Sequence, residues 1–368
     1  MTQNPNQDHN PETMSYKVKS ICLPFSLLCI YLLFCLPAFN QKKVVVVDHR
    51  FDAVDQLLKQ NQKELGGNFA VVVWQDGKVL YQHQGSEDFS PKSPAAIAGA
   101  ADWMTAALVM TFVDEGKLSL DDKVTKYIPM FGKYMKGYIT VRNCLTSTLG
   151  IKVDQGIKKA LEKVKYETLE DAVNAIASKR DIGTNPGTEF FYSSLGFDIA
   201  ARVCEVVGKK PYERLMSERI ARPLKMRGTA FDNQNGGAPD PTGGAMSSAN
   251  DYIAFLAMLL DSGMVGDKRV LSEKSVEELE SPQFTNLPVK YIPKDLQGAK
   301  IGLGNYILSP NGSGTVWASP SLQGCFPYID KCRHYAAILL VQKPEEDKKP
   351  IGQNMMNLIN AQLGSGCN

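Results

Sequence analysis

Residues 98–120, Ala-Gly-Ala-Ala-Asp-Trp-Met-Thr-Ala-Ala-Leu-Val-Met-Thr-Phe-Val-Asp-Glu-Gly-Lys-Leu-Ser-Leu, restrict the folds open to this chain. From position 103 to 113 apolar residues occupy every side of a helix instead of one stripe, and Gly116 stands where a C-cap belongs. Such a helix has to be central and buried. Its start matters chemically, because a helix N-terminus presents unpaired N–H groups and partial positive charge, a common seat for a nucleophile or an anion. That seat holds Gly99, Ala100, Ala101 and Asp102, none of which is an ordinary nucleophile.

The segments around this helix change period along the chain. Phe51, Val54, Leu57 and Leu58 recur at helical spacing until Gly66-Gly67 stops them. Residues 69–74 and 78–82 are β-rich runs joined at Gln75-Asp76-Gly77, a hairpin signal. After the central helix, residues 139–145 read as a short helix or extended piece, and amphipathic helices are expected over 168–178, 195–207, 212–221, 250–260 and 272–279. Residues 282–300 carry little periodicity and read as a long surface excursion. Strands return at 302–308, 324–329 and 334–341, and a closing helix is expected over 354–363. Early strands, middle helices and late strands imply an α+β fold, in which an antiparallel sheet is formed from both chain ends, with helices on its faces. A mainly helical subdomain of about 118–280 sits between them.

The first 50 residues read differently. Residues 1–20 are polar and carry Lys17 and Lys19 just before an uncharged apolar run over 21–39. That run reads as a signal-peptide h-region or an uncleaved membrane anchor, with the true start at Met1 or at Met14. Residues 40–50 form a linker, and 51–368 the folded domain. An exported protein, periplasmic or extracellular, is expected. Disulfides are therefore permissible, but Cys144 and Cys204 lie in apolar segments and read as small buried hydrophobes. There is no Cys-x-x-Cys and the four histidines are scattered, so no metal or other cofactor is expected. With 41 basic and 39 acidic residues and no basic block, nucleic acid is excluded as a partner class.

Five stretches, in order, carry a resemblance: Gly116-Lys-Leu-Ser-Leu-Asp-Asp-Lys-Val-Thr-Lys-Tyr-Ile-Pro, Phe191-Tyr-Ser-Ser-Leu-Gly, Pro223-Leu-Lys-Met-Arg-Gly-Thr-Ala-Phe, Gly243-Gly-Ala-Met-Ser-Ser-Ala-Asn-Asp-Tyr and Gly302-Leu-Gly. Over about 51–363 the chain resembles the serine β-lactamase and penicillin-binding-protein superfamily, in its class C-like branch, which also contains esterases and peptidases. The resemblance implies the β-lactamase/transpeptidase-like fold and a nucleophilic Ser-x-x-Lys at the start of the central helix, where the serine attacks a carbonyl and the lysine one turn on helps take its proton.

In this chain the serine position falls on Gly99 and the lysine position on Asp102, and no Ser-x-x-Lys, Thr-x-x-Lys or Gly-x-Ser-x-Gly occurs anywhere else. The family's Tyr-x-Asn reads Tyr192-Ser193-Ser194, which keeps the tyrosine and replaces the amide by Ser194. The Lys-Thr-Gly or His-x-Gly segment should fall within 317–324, where there is no Lys or His, and Ser319, Ser321, Leu322 and Gln323 stand instead. The His-x-Ser-Gly segment reads Ser147-Thr-Leu-Gly150. The resemblance therefore assigns Gly99, Asp102 and Tyr192 to the catalytic positions and Ser147, Ser194, Ser319 and Ser321 to the substrate-binding walls. Two readings stay open. One is a catalytically impaired binding or scaffold protein that takes a small-molecule or peptide ligand, cell-wall-like among the choices, in the inherited cleft. The other is an active amide or ester hydrolase with a rebuilt site, using Asp102 as a base with Tyr192 or a hydroxyl of Ser147, Ser193 or Ser319.

Overall fold

A computed structural model describes residues 49–153, 165–233, 236–309, 316–321, 324–343 and 350–364. The targeting run at 21–39, and Leu322 and Gln323, lie outside the described residues.

The hairpin forms where the sequence changes period. Strand β1 (Phe69–Gln75) and strand β2 (Lys78–Gln84) pair antiparallel across a turn in which Asp76 and Gly77 both have positive φ, 47° and 79°. The other edge of β1 takes the end of the chain. The late strands are β3 (Lys300–Ile301), β4 (Tyr306–Leu308), β5 (Val316–Ala318), β6 (Cys325–Asp330) and β7 (Tyr335–Val341). Strand β7 lies antiparallel to β1 in unbroken register, from Phe69 opposite Val341 to Gln75 opposite Tyr335. The seven strands run β2-β1-β7-β6-β5-β4-β3, and every pairing is antiparallel. The two chain ends thus build one sheet, as the strand pattern requires.

Successive side chains on a strand face opposite ways, so each strand feeds two cores. Ala70 and Val72 of β1, with Ile338 and Leu340 of β7, join the core that contains the middle of the chain. Phe69, Val71 and Val73, with Leu339 and Val341, join a second core with Phe51, Val54 and Leu58 near the start and Met355 and Ile359 near the end. Those residues lie on or beside helix α1 (Asp52–Gln60) and the closing helix Ile351–Leu363.

The first core surrounds helix α2 (Ala101–Asp114), which buries 12 of its 14 residues. Its polar side chains are accommodated: Thr105 hydrogen-bonds Tyr212 at 2.8 Å, and the Thr111 hydroxyl donates to the Leu108 carbonyl at 2.7 Å. Around it stand α3 (Val141–Leu145), α4 (Leu169–Lys179), α5 (Leu195–Gly208), α6 (Ala249–Leu260) and α7 (Glu273–Glu280). Cys144 of α3 and Cys204 of α5 are free, buried thiols, and Cys332 is disulfide-bonded.

Residues 282–300 differ from expectation. Within them Val289–Tyr291 forms a short strand, parallel to Phe190–Phe191, and Leu296 is buried in the second core. This strand is exposed along its length, so it leaves no apolar alternation to read.

Gly304 fixes the start of α2 against the sheet. Its φ is +69°, and a Cβ there would lie 2.5 Å from the Asp102 carbonyl oxygen and 3.0 Å from the Ala106 Cβ. A side chain must therefore both strain the backbone and push the helix start away. Gly304→Ala is expected to lower the unfolding free energy by about 2 kcal/mol or more in urea titration; a loss below about 0.5 kcal/mol would show that this contact does not anchor the helix.

Candidate functional site

The chain enters α2 through a tight turn, Ala98–Ala100, in which Ala98 sits in the left-handed region at φ 45°. This turn places Gly99 in a buried position beneath Tyr192. A Cβ at Gly99 would lie 3.1 Å from the Tyr192 hydroxyl and 3.9 Å from the Ser321 Cβ. The structure therefore brings Gly99, Tyr192 and Ser321 together around the point where a side chain at 99 would begin. A serine there would place its hydroxyl among these groups; the glycine leaves no reactive atom.

Tyr192 is held by two neighbours that the sequence did not disclose. Its ring packs edge-on against Tyr291 at 6.4 Å and tilted against Tyr306 at 6.3 Å, and its backbone N–H donates to the Tyr291 carbonyl at 3.0 Å. Burial pushes its phenol well above the ordinary tyrosine range, and the nearby Asp102 and Tyr291 push it further. Among the described residues no cation offsets these effects, so the surroundings favour the protonated phenol over the phenolate.

Asp102 occupies the first turn of α2 and is only 8% exposed. Its Oδ1 accepts a hydrogen bond from the Thr242 hydroxyl at 2.9 Å. Thr242 is presented by a turn around Asp240, whose Oδ1 accepts from the backbone N–H groups of Thr242 and Gly243 at 3.2 and 2.6 Å. A carboxylate at a helix N-terminus is ordinarily favoured by the helix dipole. Here burial dominates and carries the Asp102 carboxyl well above the usual carboxylate range; the Thr242 hydroxyl opposes this, and the like charges of Asp198 and Asp240 add to it. Asp198, on α5, is pushed up in the same direction by burial and then by Asp240.

The four serines expected on the walls are differently placed. Ser319 follows β5 and is 1% exposed; its hydroxyl donates to the Gly304 carbonyl at 3.0 Å and points also at the Gly99 carbonyl, 3.4 Å away. It turns into the protein beneath Gly99. The Ser321 backbone N–H donates to the Cys325 carbonyl at 2.7 Å, and its hydroxyl accepts from the Cys325 N–H at 3.2 Å. That backbone donor is therefore engaged within the loop instead of facing a substrate oxygen. Ser147, at φ 53°, donates its hydroxyl to the Ser193 carbonyl at 3.1 Å, and its own carbonyl accepts from the Phe191 N–H at 3.1 Å. It straps the Tyr192 segment in place. Ser194 stands at the N-terminal boundary of α5 and is half-buried.

Residues flanking Tyr192 line two cavities. Ser147 and Ser193 line one, of about 540 Å³, and Ser194 lines the other, of about 880 Å³. Asp198, Asp240 and Thr242 were not singled out by sequence. The one available signal was Asp198 itself, an acidic residue between the buried Phe197 and Ile199 in an apolar run. Among the described residues, no group of three or more His, Cys, Asp or Glu side chains is arranged to hold a metal ion.

The Asp102 carboxyl gives a signed pH dependence. Between the unfolded value, about 3.9, and its raised folded value, the folded protein holds a proton that the unfolded chain has released. Stability must fall as pH rises through that window. Asp102→Asn, which retains an acceptor for Thr242, is therefore expected to melt higher than the wild type at pH 7 to 8. Thermal melts should show the difference closing toward pH 4, and a difference that stays constant or grows on acidification would contradict this assignment.

Comparison with known proteins identifies the family and the fold. The sequence matches the beta-lactamase family over residues 54–358. A putative beta-lactamase from Bacteroides dorei DSM 17855 superposes with a TM-score of 0.74 at 28% identity, covering 84% of this chain and 97% of that one. The octameric penicillin-binding protein homologue from Pyrococcus abyssi shares the fold with a TM-score of 0.68 at 21% identity, over 84% of this chain and 77% of that one. Protein flp of Staphylococcus aureus (strain MW2) is 28% identical over 176 residues, which are 45% of this chain and 35% of that protein. The chain thus spans little more than a third of the length of these curated relatives. A family match that reaches from the first helix into the closing one, on a sheet built from both chain ends, places this chain in the beta-lactamase family of serine-hydrolase-fold proteins.

Proposed function

We propose that this chain is a non-catalytic member of the family, which binds a small-molecule or peptide ligand in the inherited cleft. The observation that carries the reading is Gly99: the backbone still aims position 99 at Tyr192, 3.1 Å from a would-be Cβ to the hydroxyl, and no nucleophile is attached to it. Loss of the serine nucleophile costs on the order of a million-fold in kcat in a serine protease, so binding alone gives little turnover. The rest of the machinery is altered in the same sense. Asp102 stands where the family's lysine would, and among the described residues no positive neighbour favours a Tyr192 phenolate.

An active enzyme with a rebuilt site has one observation in its favour, the Thr242 hydroxyl 2.9 Å from the Asp102 carboxyl. Burial shifts this carboxyl toward its protonated form, which does not accept a proton, and this pair ranks second. The apolar run at 21–39 supports an exported protein, with that run either removed or retained as a membrane attachment. Among the described residues no helix is long and apolar enough to cross a membrane. Export would place the cleft among cell-wall-like ligands.

The purified protein is expected to remain unmodified by fluorophosphonate and penicillin probes, by intact mass, and to leave a chromogenic ester and a chromogenic cephalosporin intact. Covalent labelling mapped to any serine or threonine would overturn the non-catalytic reading.

A further inference from the structure

Cys332, in the turn between β6 and β7, is disulfide-bonded, and its partner is not among the other described cysteines, because Cys144, Cys204 and Cys325 are free thiols. The partner is therefore one of Cys22, Cys29, Cys35 and Cys367, which lie outside the described residues. The turn itself is held from several sides. Asp330, fully buried at the end of β6, accepts from the Arg333 backbone N–H at 2.9 Å and pairs with the Arg333 guanidinium at 2.7 Å, while the Gln75 amide donates to the Arg333 carbonyl at 2.8 Å. The guanidinium fixed in this way also donates through Nε to the carbonyl oxygen of Gly364 at 2.8 Å, and Gly364 caps the closing helix Ile351–Leu363. The end of that helix is thus bonded to the residue that follows Cys332.

We propose that Cys332 is bonded to Cys367, and that this disulfide clips the tail beyond the closing helix to the β6–β7 turn. From Gly364 to Cys367 the chain can extend by about 10 Å. The Cα atoms of a disulfide pair stand a further 4.4–6.8 Å apart, roughly, so the tail can span the Arg333 side chain that separates Gly364 from the turn. Cys332 is exposed, which leaves its thiol open to exchange with an oxidant. The bond forms by two exchanges with a small-molecule or protein disulfide: one cysteine displaces a thiol to give a mixed disulfide, and the other cysteine displaces the second. The pair loses two electrons and two protons, and the oxidant leaves as two thiols. The clip closes a loop of about 35 residues that holds β7 and the closing helix, whose Met355 and Ile359 lie in the second core. Disulfides persist in oxidising compartments, so the bond supports the export reading of the run at 21–39. If export removes that run, Cys22, Cys29 and Cys35 leave with it. The inference does not use the ligand-binding reading above.

Peptide mapping of the full chain tests it. The protein is equilibrated in a mixture of reduced and oxidised glutathione, alkylated under denaturing conditions and digested with trypsin without reduction. Mass spectrometry is expected to find the peptide of Cys332 joined to the peptide that contains Cys367. A link from Cys332 to any other cysteine, a link between the Cys332 residues of two copies, or an alkylated Cys332 would overturn the proposal. Thermal melts give a second reading. In the same buffer Cys367→Ala should melt about 5 °C or more below the wild type, and excess dithiothreitol should bring the wild type down to the variant. A Cys367→Ala protein that melts with the oxidised wild type would show that no clip holds the tail. So would a difference that persists unchanged in dithiothreitol. If that variant does not fold, the peptide map of the wild type decides.

Discussion

The rest of the structure depends on the enclosure of α2. Twelve buried residues in one helix cannot be displaced without opening the core on every side, so the helix is fixed in place by packing along 103–112. Its chemistry, by contrast, is confined to the turn before it and its first residues. The two functions are physically separate. Residue 99 lies in that turn and residue 102 in the first turn of the helix, at the end of the packed stretch and not in its middle. Gly304 and Ser319, which seat the turn from below, belong to the fold in this sense and not to the cleft.

Much of the architecture was legible because it rests on local rules. The hairpin at Asp76-Gly77 has the backbone that its residues favour. The helix starts follow their capping residues: the side chains of Thr168, Ser248 and Ser272 each accept a backbone N–H, from Asp171, Asp251 and Ser275 respectively. Thr140 and Asn143 complete a reciprocal cap on α3. The chain-end pairing of β1 with β7 was legible from apolar runs at both ends. Position 99 was assigned through the order of the family's stretches, and the structure brings Gly99 next to Tyr192.

What stayed hidden depends on contacts that no local pattern encodes. Tyr291 reaches Tyr192 from a strand exposed at every residue, so the segment that carries it reads as aperiodic. Thr242 lies 140 positions from Asp102, and nothing in its own turn announces the partner. The four wall serines were assigned by position alone, and position does not say which way a hydroxyl points. Ser319 turns inward to two carbonyl groups, and Ser147 ties down a backbone.

The change at position 102 reaches further than the change at 99. A glycine removes one reactive atom, but an aspartate in place of a lysine changes the sign of the charge beside Tyr192. In this buried setting the effect spreads, because Asp102 raises the tyrosine phenol and shares a region with Asp198 and Asp240, where each carboxyl disfavours ionisation of the next. On the non-catalytic reading, a serine placed at 99 alone would face a tyrosine and a carboxyl that burial shifts toward their protonated forms. On that reading the glycine at 99 supplies no nucleophile, and the buried aspartate at 102 supplies no cation that would favour deprotonation of one.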